Sequence, residues 1–161
     1  MGVIIDFKRR VRKMVTIHDV AKTFLNMESM SPKKLQKLCF YAYSWYLYYF
    51  EKPLFDNRFQ AWVHGPVDPS LYHTYKEFGW SAIPREATVP NVITNDAEVY
   101  EFLESLYESY GHLDADELEA LTHDQIPWKR ARAGLQPFQA SNSPIKDKDI
   151  IEQVRMELGN A

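Results

Sequence analysis

The stretch that decides the fold of this 161-residue chain is SPKKLQKLCFYAYSWYL, residues 31–47, whose apolar character continues to residue 50. Ser31 is a favourable N-cap and Pro32 suits the first helical position, so a helix is predicted to begin here. After its first turn the helix is apolar nearly all round, which is typical of a helix at the centre of a core. We therefore expect a central core helix of about 30 Å. Its positive charge is confined to an N-terminal end that we expect to be exposed: Lys33, Lys34 and Lys37.

A short strand is predicted after this helix. Residues 58–63 alternate between two faces, and the pair Gly65-Pro66 is expected to end the strand. Residues 80–95 lack helical periodicity and contain Pro84 and Pro90, which predicts either a loop or an edge strand near residues 87–93. We expect these two segments to supply a small antiparallel β element.

Helical periodicity accounts for the rest of the chain. The clearest stripe is made of apolar side chains that recur at helical spacing: Val99, Phe102, Leu103, Leu106, Tyr107 and Tyr110. Further helices are predicted from Thr16, after Pro69, over residues 114–123, from Pro127 and after Pro144. The sequence therefore predicts a mainly α (α+β) fold, with about six to seven helices in a single compact domain over residues 14–161.

The composition is ordinary for a globular protein, with 45% apolar and 25% charged residues. A single cysteine, Cys39, excludes an internal disulfide and fits a reducing compartment. No apolar run approaches the roughly 20 residues that a membrane-spanning helix needs. We therefore expect a cytoplasmic protein that does not cross a membrane.

Charge is distributed unevenly along the chain. Residues 1–13 carry five Lys and Arg against one Asp, so this segment has a net charge of +4 and the remainder −7. Residues 86–128 contain eleven Asp and Glu and no Lys or Arg. Such a surface repels phosphates and suits a basic protein partner, so the body is not expected to bind nucleic acid. The first 13 residues are predicted to be a flexible basic extension, with a nucleic-acid-binding arm as the alternative.

The sequence contains no recognisable catalytic constellation. It lacks a glycine-rich phosphate loop, a histidine pair at helical spacing and a cysteine pair, so no cofactor and no metal are predicted. His64 and His123 are the candidate acid–base groups, because each lies beside a turn that contains proline. A backbone hydrogen bond at that turn explains each imidazole more simply. We therefore expect a protein that is not an enzyme, with an unrecognised hydrolase as the remaining alternative.

Several segments together resemble one known family. They are residues 34–42, Trp45, residues 52–55 and 61–67, Leu71-Tyr72, residues 118–123 and Pro127-Trp128. This pattern is similar to the Panacea antitoxin domain family, the SocA-like antitoxins, earlier described as phage-associated proteins. The resemblance covers roughly residues 16–155, and its Leu-Gln-Lys-Leu helix combined with Trp-x-x-Gly-Pro-Val is specific. Cys39-Phe40 stands where the family more often has an aliphatic residue and a tyrosine, a change that packing tolerates.

The resemblance implies a mostly helical domain and a protein partner. Family members neutralise a cognate toxin encoded by an adjacent gene, often on a prophage or other mobile element. They are thought to act by direct contact, and SocA-like members deliver the toxin to a cytosolic protease as adaptors. The alternative function is a DNA-binding transcriptional regulator that uses the basic N-terminal arm, although no helix-turn-helix is evident beside the acidic body.

The family motifs give two sets of candidate residues. Partner binding is expected to involve the residues around the Gly-Pro turn and the second half of the chain: Trp62, His64, Gly65, Pro66, Thr122, His123, Pro127 and Trp128. The core motif helix supplies the supporting set: Leu35, Gln36, Lys37, Leu38, Tyr41 and Trp45. Exposed Trp and Tyr side chains often anchor interfaces, whereas buried ones serve the core.

Overall fold

The computed structural model describes residues 14–159, so the predicted flexible extension over residues 1–13 lies outside the described part of the chain. Within residues 14–159 there are eight α-helices: α1 Ile17–Met27, α2 Pro32–Phe50, α3 Pro69–Tyr75, α4 Asn91–Thr94, α5 Ala97–Tyr110, α6 Ala115–His123, α7 Ile126–Ala131 and α8 Asp147–Gly159. The only sheet in this part of the chain pairs β1, Gln60–Trp62, with β2, Gly65–Val67. The prediction of a mainly α fold with a small antiparallel element is confirmed.

Helix α2 lies at the centre of the molecule, as its apolar circumference predicts. The Ser31 hydroxyl accepts a hydrogen bond from the Lys34 amide, and Pro32 occupies the first turn. Thirteen of its nineteen residues are buried, and α1, α5, α6, α8 and β2 all pack against it. Its aromatic rings make close pairs across the core, such as Tyr41 stacked on Tyr110 with ring centroids 4.4 Å apart. Such pairs stabilise a core by about 0.5–1.5 kcal/mol each beyond the area that they bury.

The N-terminal end of α2 is not exposed, which corrects the prediction for all three of its lysines; even the Lys33 side chain is only 10% exposed. Lys34 and Lys37 are both buried, Lys37 to 1% exposure, because α6 and the β1–β2 hairpin cover this end of the helix. Lys34 Nζ pairs with Glu28 at 2.9 Å and donates to the Gly111 carbonyl at 2.7 Å. A buried ammonium needs such partners to offset its lost hydration.

The hairpin differs from the prediction in its second strand. β1 pairs with β2 in the register Gln60↔Val67, Ala61↔Pro66 and Trp62↔Gly65, so the Gly-Pro pair opens the second strand instead of ending the sheet. Residues 87–93 form no strand, and residues 91–94 are the one-turn helix α4. Two residues between strands suffice to close a hairpin, whereas pairing with residue 87 would require a longer loop. Pro66 is tolerated because β2 is an edge strand, where the missing N–H breaks no ladder.

The opposite edge of the hairpin is covered by the segment before α8. The Ala61 amide donates to the Ser143 carbonyl at 2.8 Å, and the Ile145 amide donates to the Phe59 carbonyl at 2.9 Å. These bonds fix β1 against the body of the protein and leave the β2 side facing α2 and α6. In residues 14–159 no helix is both long enough and apolar enough to cross a membrane.

Candidate functional site

A concave cavity of about 390 Å³ opens beside the hairpin, and we call it the hairpin groove. Its walls come from the first turns of α2, the hairpin, α3 and the loop that follows α3. Most of the lining is apolar or aromatic, and it contains three lysines and no carboxylate. The complete lining consists of Pro32, Lys33, Leu35, Gln36, Lys37, Trp62, His64, Val67, Leu71, Tyr72, Tyr75, Lys76, Gly79 and Trp80. Pockets with apolar walls and a few convergent polar groups are typical binding sites.

Exposed aromatic rings form the rim of the hairpin groove. Trp80 is 75% exposed and Tyr72 is 40% exposed. Tyr72 packs against Trp62 with ring centroids 4.9 Å apart. The Trp80 and His64 rings pack edge to face with their centroids 5.7 Å apart, and Lys33 Nζ lies 5.7 Å from the Trp80 ring centroid. The imidazole and the cation therefore hold Trp80 in place while leaving most of the indole accessible.

A charged cluster joins the rim to α6. Lys33 Nζ lies 2.8 Å from both Asp116 and Glu119, and His64 Nδ1 is hydrogen-bonded to Glu119 at 2.9 Å. Partial burial alone would raise the pKa of Glu119, but the hydrogen bond and charge of Lys33, assisted by His64, lower it below its ordinary value. The same pairing raises the pKa of Lys33 although burial opposes it. The cluster keeps Glu119 ionised and fixes the position of His64.

Lys37 lies at the base of the hairpin groove. Its Nζ donates to the Pro66 carbonyl at 3.2 Å, and within residues 14–159 no carboxylate is close enough to form an ion pair with it. Burial lowers the pKa of Lys37 to about 7, opposed by the charge of Glu119 and assisted by that of Lys33. Lys37 is thus a desolvated amine with one neutral acceptor, in a wall that carries no negative charge.

Gly65 permits the close approach of Lys37 to the hairpin. Its φ of +113° is a backbone conformation that side-chain-bearing residues rarely adopt. A Cβ at this position would collide with Cε of Lys37 and lie 3.0 Å from Oγ1 of Thr122. Thr122 itself is buried and donates to the Glu119 carbonyl at 2.8 Å. The glycine is therefore required both by the turn and by its neighbours.

The back of the hairpin is supported by an aromatic stack. His123 stacks on Trp128 with centroids 3.8 Å apart, and Trp128 Nε1 donates to the Trp62 carbonyl at 2.7 Å. The Arg132 guanidinium also lies over Trp128, 5.1 Å from a ring centroid. Nη1 of Arg132 donates to the Ala61 carbonyl at 2.9 Å. These contacts satisfy two carbonyls of β1 from beneath and hold the strand rigid.

His123 supports the back of the hairpin through its stacking on Trp128. Burial lowers its pKa, and the positive charge of Lys37 acts in the same direction, while Glu119 and a backbone hydrogen bond with Val63 oppose them. Its Nε2 is buried, with no hydrogen-bond partner in the described residues. Burial also raises the pKa of the Cys39 thiol, which disfavours the nucleophilic thiolate. In the part of the chain that the structure describes, no cluster of three or more His, Cys, Asp and Glu residues is placed to hold a metal ion.

The structure brings most of the predicted site residues together around the hairpin. This set comprises Trp62, His64, Gly65, Pro66, Thr122, His123 and Trp128, together with Leu35, Gln36 and Lys37 from α2. Gln36 fixes the start of α3, because its amide group donates to the Asp68 carbonyl and accepts from the Asp68 amide, both at 2.9 Å.

Four predicted residues serve the core elsewhere. Leu38 is completely buried. Tyr41 donates to Gln125 at 2.9 Å, and Trp45 Nε1 donates to the Tyr110 hydroxyl at 2.7 Å. Pro127 is buried on this same side of α2 as Tyr41 and Trp45, away from the hairpin groove.

Sequence reasoning missed five residues that build the site: Lys33, Trp80, Asp116, Glu119 and Arg132. Trp80 has a usable signal, because it follows Gly79 in a segment without periodicity, where a tryptophan has no core stripe to join. The acidic residues belong to a run that looks like a solvated face, and nothing local marks Arg132. Their partners are distant in sequence, such as Ala61 for Arg132.

Comparison with known proteins places these features in a family. No solved structure matches the chain. Antitoxin SocA of Caulobacter vibrioides is 28% identical over 133 residues, which cover 76% of this chain and 71% of that protein. The family described as antitoxin SocA-like, Panacea domain, matches residues 35–129, a region that begins in α2 and includes the hairpin, α6 and Trp128. Because that match covers more than half of the chain, the protein belongs to the SocA-like antitoxin family with a Panacea domain.

Proposed function

We propose that this protein is an antitoxin-type binding module that neutralises a cognate toxin by direct contact through the hairpin groove. The observation that supports the site is the pair of exposed aromatic rings, Tyr72 and Trp80, at the mouth of a concave apolar cavity. Trp and Tyr are enriched among the residues that dominate interface energetics, and they cost little conformational entropy to fix. Family membership supports the antitoxin role in general.

The groove is suited to this task because it is rigid. Trp62 is held through its carbonyl by Trp128, its neighbour Ala61 is held by Arg132, and Trp80 is flanked by Lys33 and His64. A surface that is already ordered loses less side-chain entropy on binding, so more of its contact energy becomes affinity.

The proposal extends to the genetic and cellular setting of the partner. The toxin is proposed to be the product of an adjacent gene on a prophage or other mobile element. Delivery of the bound toxin to a cytosolic protease is the further step, and it requires a second surface outside the groove. The acidic stretch over residues 86–128 supplies a candidate for that surface, since its carboxylates suit a basic partner.

Co-expression with the product of the adjacent gene tests the proposal. The wild-type chain is expected to restore growth and to co-purify with the toxin, whereas Trp80→Ala is expected to weaken the complex by about 30-fold, the typical loss at a tryptophan hot spot. Tyr49→Ala is the matched control, because Tyr49 is also an exposed aromatic residue, 57% exposed, but lies near the other end of α2. A neighbour that is harmless alone, or remains lethal beside the wild-type chain, would exclude this function.

A further inference from the structure

The hairpin groove has a charge pattern that differs from the rest of the molecule. The chain has a formal net charge of −3, yet the lining of the groove contains Lys33, Lys37 and Lys76 and no Asp or Glu. Lys33 is neutralised by the carboxylates of Asp116 and Glu119. The groove therefore presents apolar walls together with positive charge that its own lining does not balance.

Lys37 is the unbalanced charge at the base. All three lysines in the first turns of α2 are close to one another in sequence, but only Lys33 and Lys34 have carboxylate partners at 2.8–2.9 Å. Lys37 is 1% exposed and donates to a single neutral carbonyl, that of Pro66. An ammonium has three donors, so two of them find no acceptor in the described part of the chain. A buried ammonium in this condition is stabilised by any anion that can reach it.

We propose that the hairpin groove binds a segment of the toxin in which an apolar side chain stands beside an Asp or Glu, and that this carboxylate pairs with Lys37. The apolar side chain packs against Trp62 and Tyr72, whose rings lie 4.9 Å apart in the wall. An acidic side chain fits better than a basic or neutral one, because it supplies the acceptor that the lining lacks. This inference rests on the proposed function and specifies which chemistry the partner presents.

A small probe tests this pairing without knowledge of the toxin. 3-Phenylpropionate carries an aromatic ring and a carboxylate, and 3-phenylpropionamide is its neutral counterpart of the same shape. Binding to the full chain is followed by NMR, through the shifts of the Trp62 and Trp80 indole N–H groups and the Lys37 side chain. The carboxylate is expected to bind at least tenfold more tightly than the amide at pH 6. Equal affinities would overturn the proposal, and this comparison needs no variant.

Two matched variants locate the effect. Lys37→Met is expected to abolish the preference for the carboxylate, whereas Lys22→Met, which removes an exposed lysine from α1 outside the groove, is expected to change it by less than threefold. A Lys37→Met protein that still discriminates tenfold would place the anion elsewhere and refute the assignment to Lys37.

The pH dependence of the probe provides an independent readout. Only the protonated amine attracts the carboxylate, so the pKa of about 7 predicts that affinity falls about tenfold between pH 6 and pH 8. The charged and titratable groups that face Lys37 are Lys33 on its own helix, Glu119 and His123 on α6, and His64 on the hairpin. His64 lines the same groove, so the titration is repeated with His64→Gln, in which the fall is expected to persist. Affinity that is flat with pH in both proteins would contradict the pairing.

The final experiment uses variants of the toxin. Charge-neutralising substitutions, Asp→Asn and Glu→Gln, are made at its surface, and at least one is expected to weaken the complex with wild type but not with Lys37→Met. If wild type neutralises the toxin while every substitution affects both proteins equally, the groove assignment is wrong and the antitoxin function stands. If wild type does not neutralise the toxin, the function itself fails.

Discussion

The buried amine of Lys37 should make the stability of this protein depend on pH in a direction unusual for lysine. A lysine that gains a carboxylate partner on folding has a raised pKa, and the resulting stabilisation is fully present below the ordinary lysine pKa. Lys37 loses its hydration and gains only the Pro66 carbonyl, so its pKa in the folded state is about 7 against an ordinary value of 10.5. The perturbation that isolates this effect is Lys37→Met, which preserves chain length and volume but cannot titrate.

The magnitude follows from linkage between protonation and folding. Between pH 7 and pH 10.5 the unfolded chain binds a proton at Lys37 that the folded chain has released, so the free energy of unfolding rises with pH. Below pH 7 both states are protonated, and the cost of burying the charge is fully present. From pH 6 to pH 8.5 the wild type is therefore expected to gain about 2 kcal/mol relative to Lys37→Met, since each unit of pH contributes at most about 1.4 kcal/mol.

Urea unfolding followed by tryptophan fluorescence measures this difference. The free energy of unfolding is determined for both proteins at pH 6 and pH 8.5, and only the change in their difference is used. Groups that do not interact with Lys37 cancel, and so does the constant effect of losing the hydrogen bond to Pro66. Besides burial, the charge of Lys37 lowers the pKa of His123, so the comparison is repeated in a His123→Gln background. Lys76→Met is the control, with an exposed lysine removed. Parallel pH profiles for wild type and Lys37→Met would show that Lys37 stays protonated in the folded state, and the reasoning would be refuted.

Three further substitutions test the hairpin and its rim. Gly65→Ala forces a side chain into a backbone conformation with φ of +113° and against Lys37, so urea unfolding is expected to show a loss of about 2–3 kcal/mol. Arg132→Lys replaces a planar guanidinium, which donates to the carbonyls of Ala61, Gln136 and Gln139, with an ammonium that cannot reach all three. The same measurement should show a loss of about 2 kcal/mol in the free energy of unfolding. Trp80→Ala is expected to change stability by less than about 0.5 kcal/mol, because most of the indole is exposed. A loss of 2 kcal/mol there would instead make Trp80 a core residue.

Local signals were sufficient to predict the elements whose causes are local. Ser31 and Pro32 predict the start of α2, and Gly111 ends α5 just after its apolar stripe. The hairpin was only half predicted, since its two-residue turn, Val63-His64, lacks the Asn-Gly or Asp-Gly pair that marks such turns. Proline is read as a strand terminator, but whether it ends a strand depends on which edge faces a neighbour. That is a tertiary property.

The candidate site likewise divides into residues that local motifs could predict and residues whose environment depends on tertiary packing. Trp62, His64 and Trp128 could be selected because they belong to unusual motifs, and the structure brings them together. The burial of Lys37 could not be predicted, because the elements that cover it come some 30 to 85 residues later in the chain. A lysine near the start of a helix is exposed by default, and only the packing of α6 and the hairpin reverses that expectation.

The two properties of Lys37, its effect on stability and its proposed role in binding, have one physical origin and so constrain each other. An anion that pairs with the ammonium raises its pKa and removes part of the cost of burying it. A carboxylate ligand should therefore stabilise the folded protein more at pH 6, where the amine is protonated, than at pH 8.5, where it is neutral. With 3-phenylpropionate at a fixed concentration well above its dissociation constant at pH 6, the gain in the free energy of unfolding is expected to shrink by about 1–2 kcal/mol at pH 8.5. The amide should give the same small gain at both pH values, and so should the carboxylate with Lys37→Met. If the carboxylate stabilises wild type equally at both pH values, it binds without pairing with Lys37, even if its site is the groove.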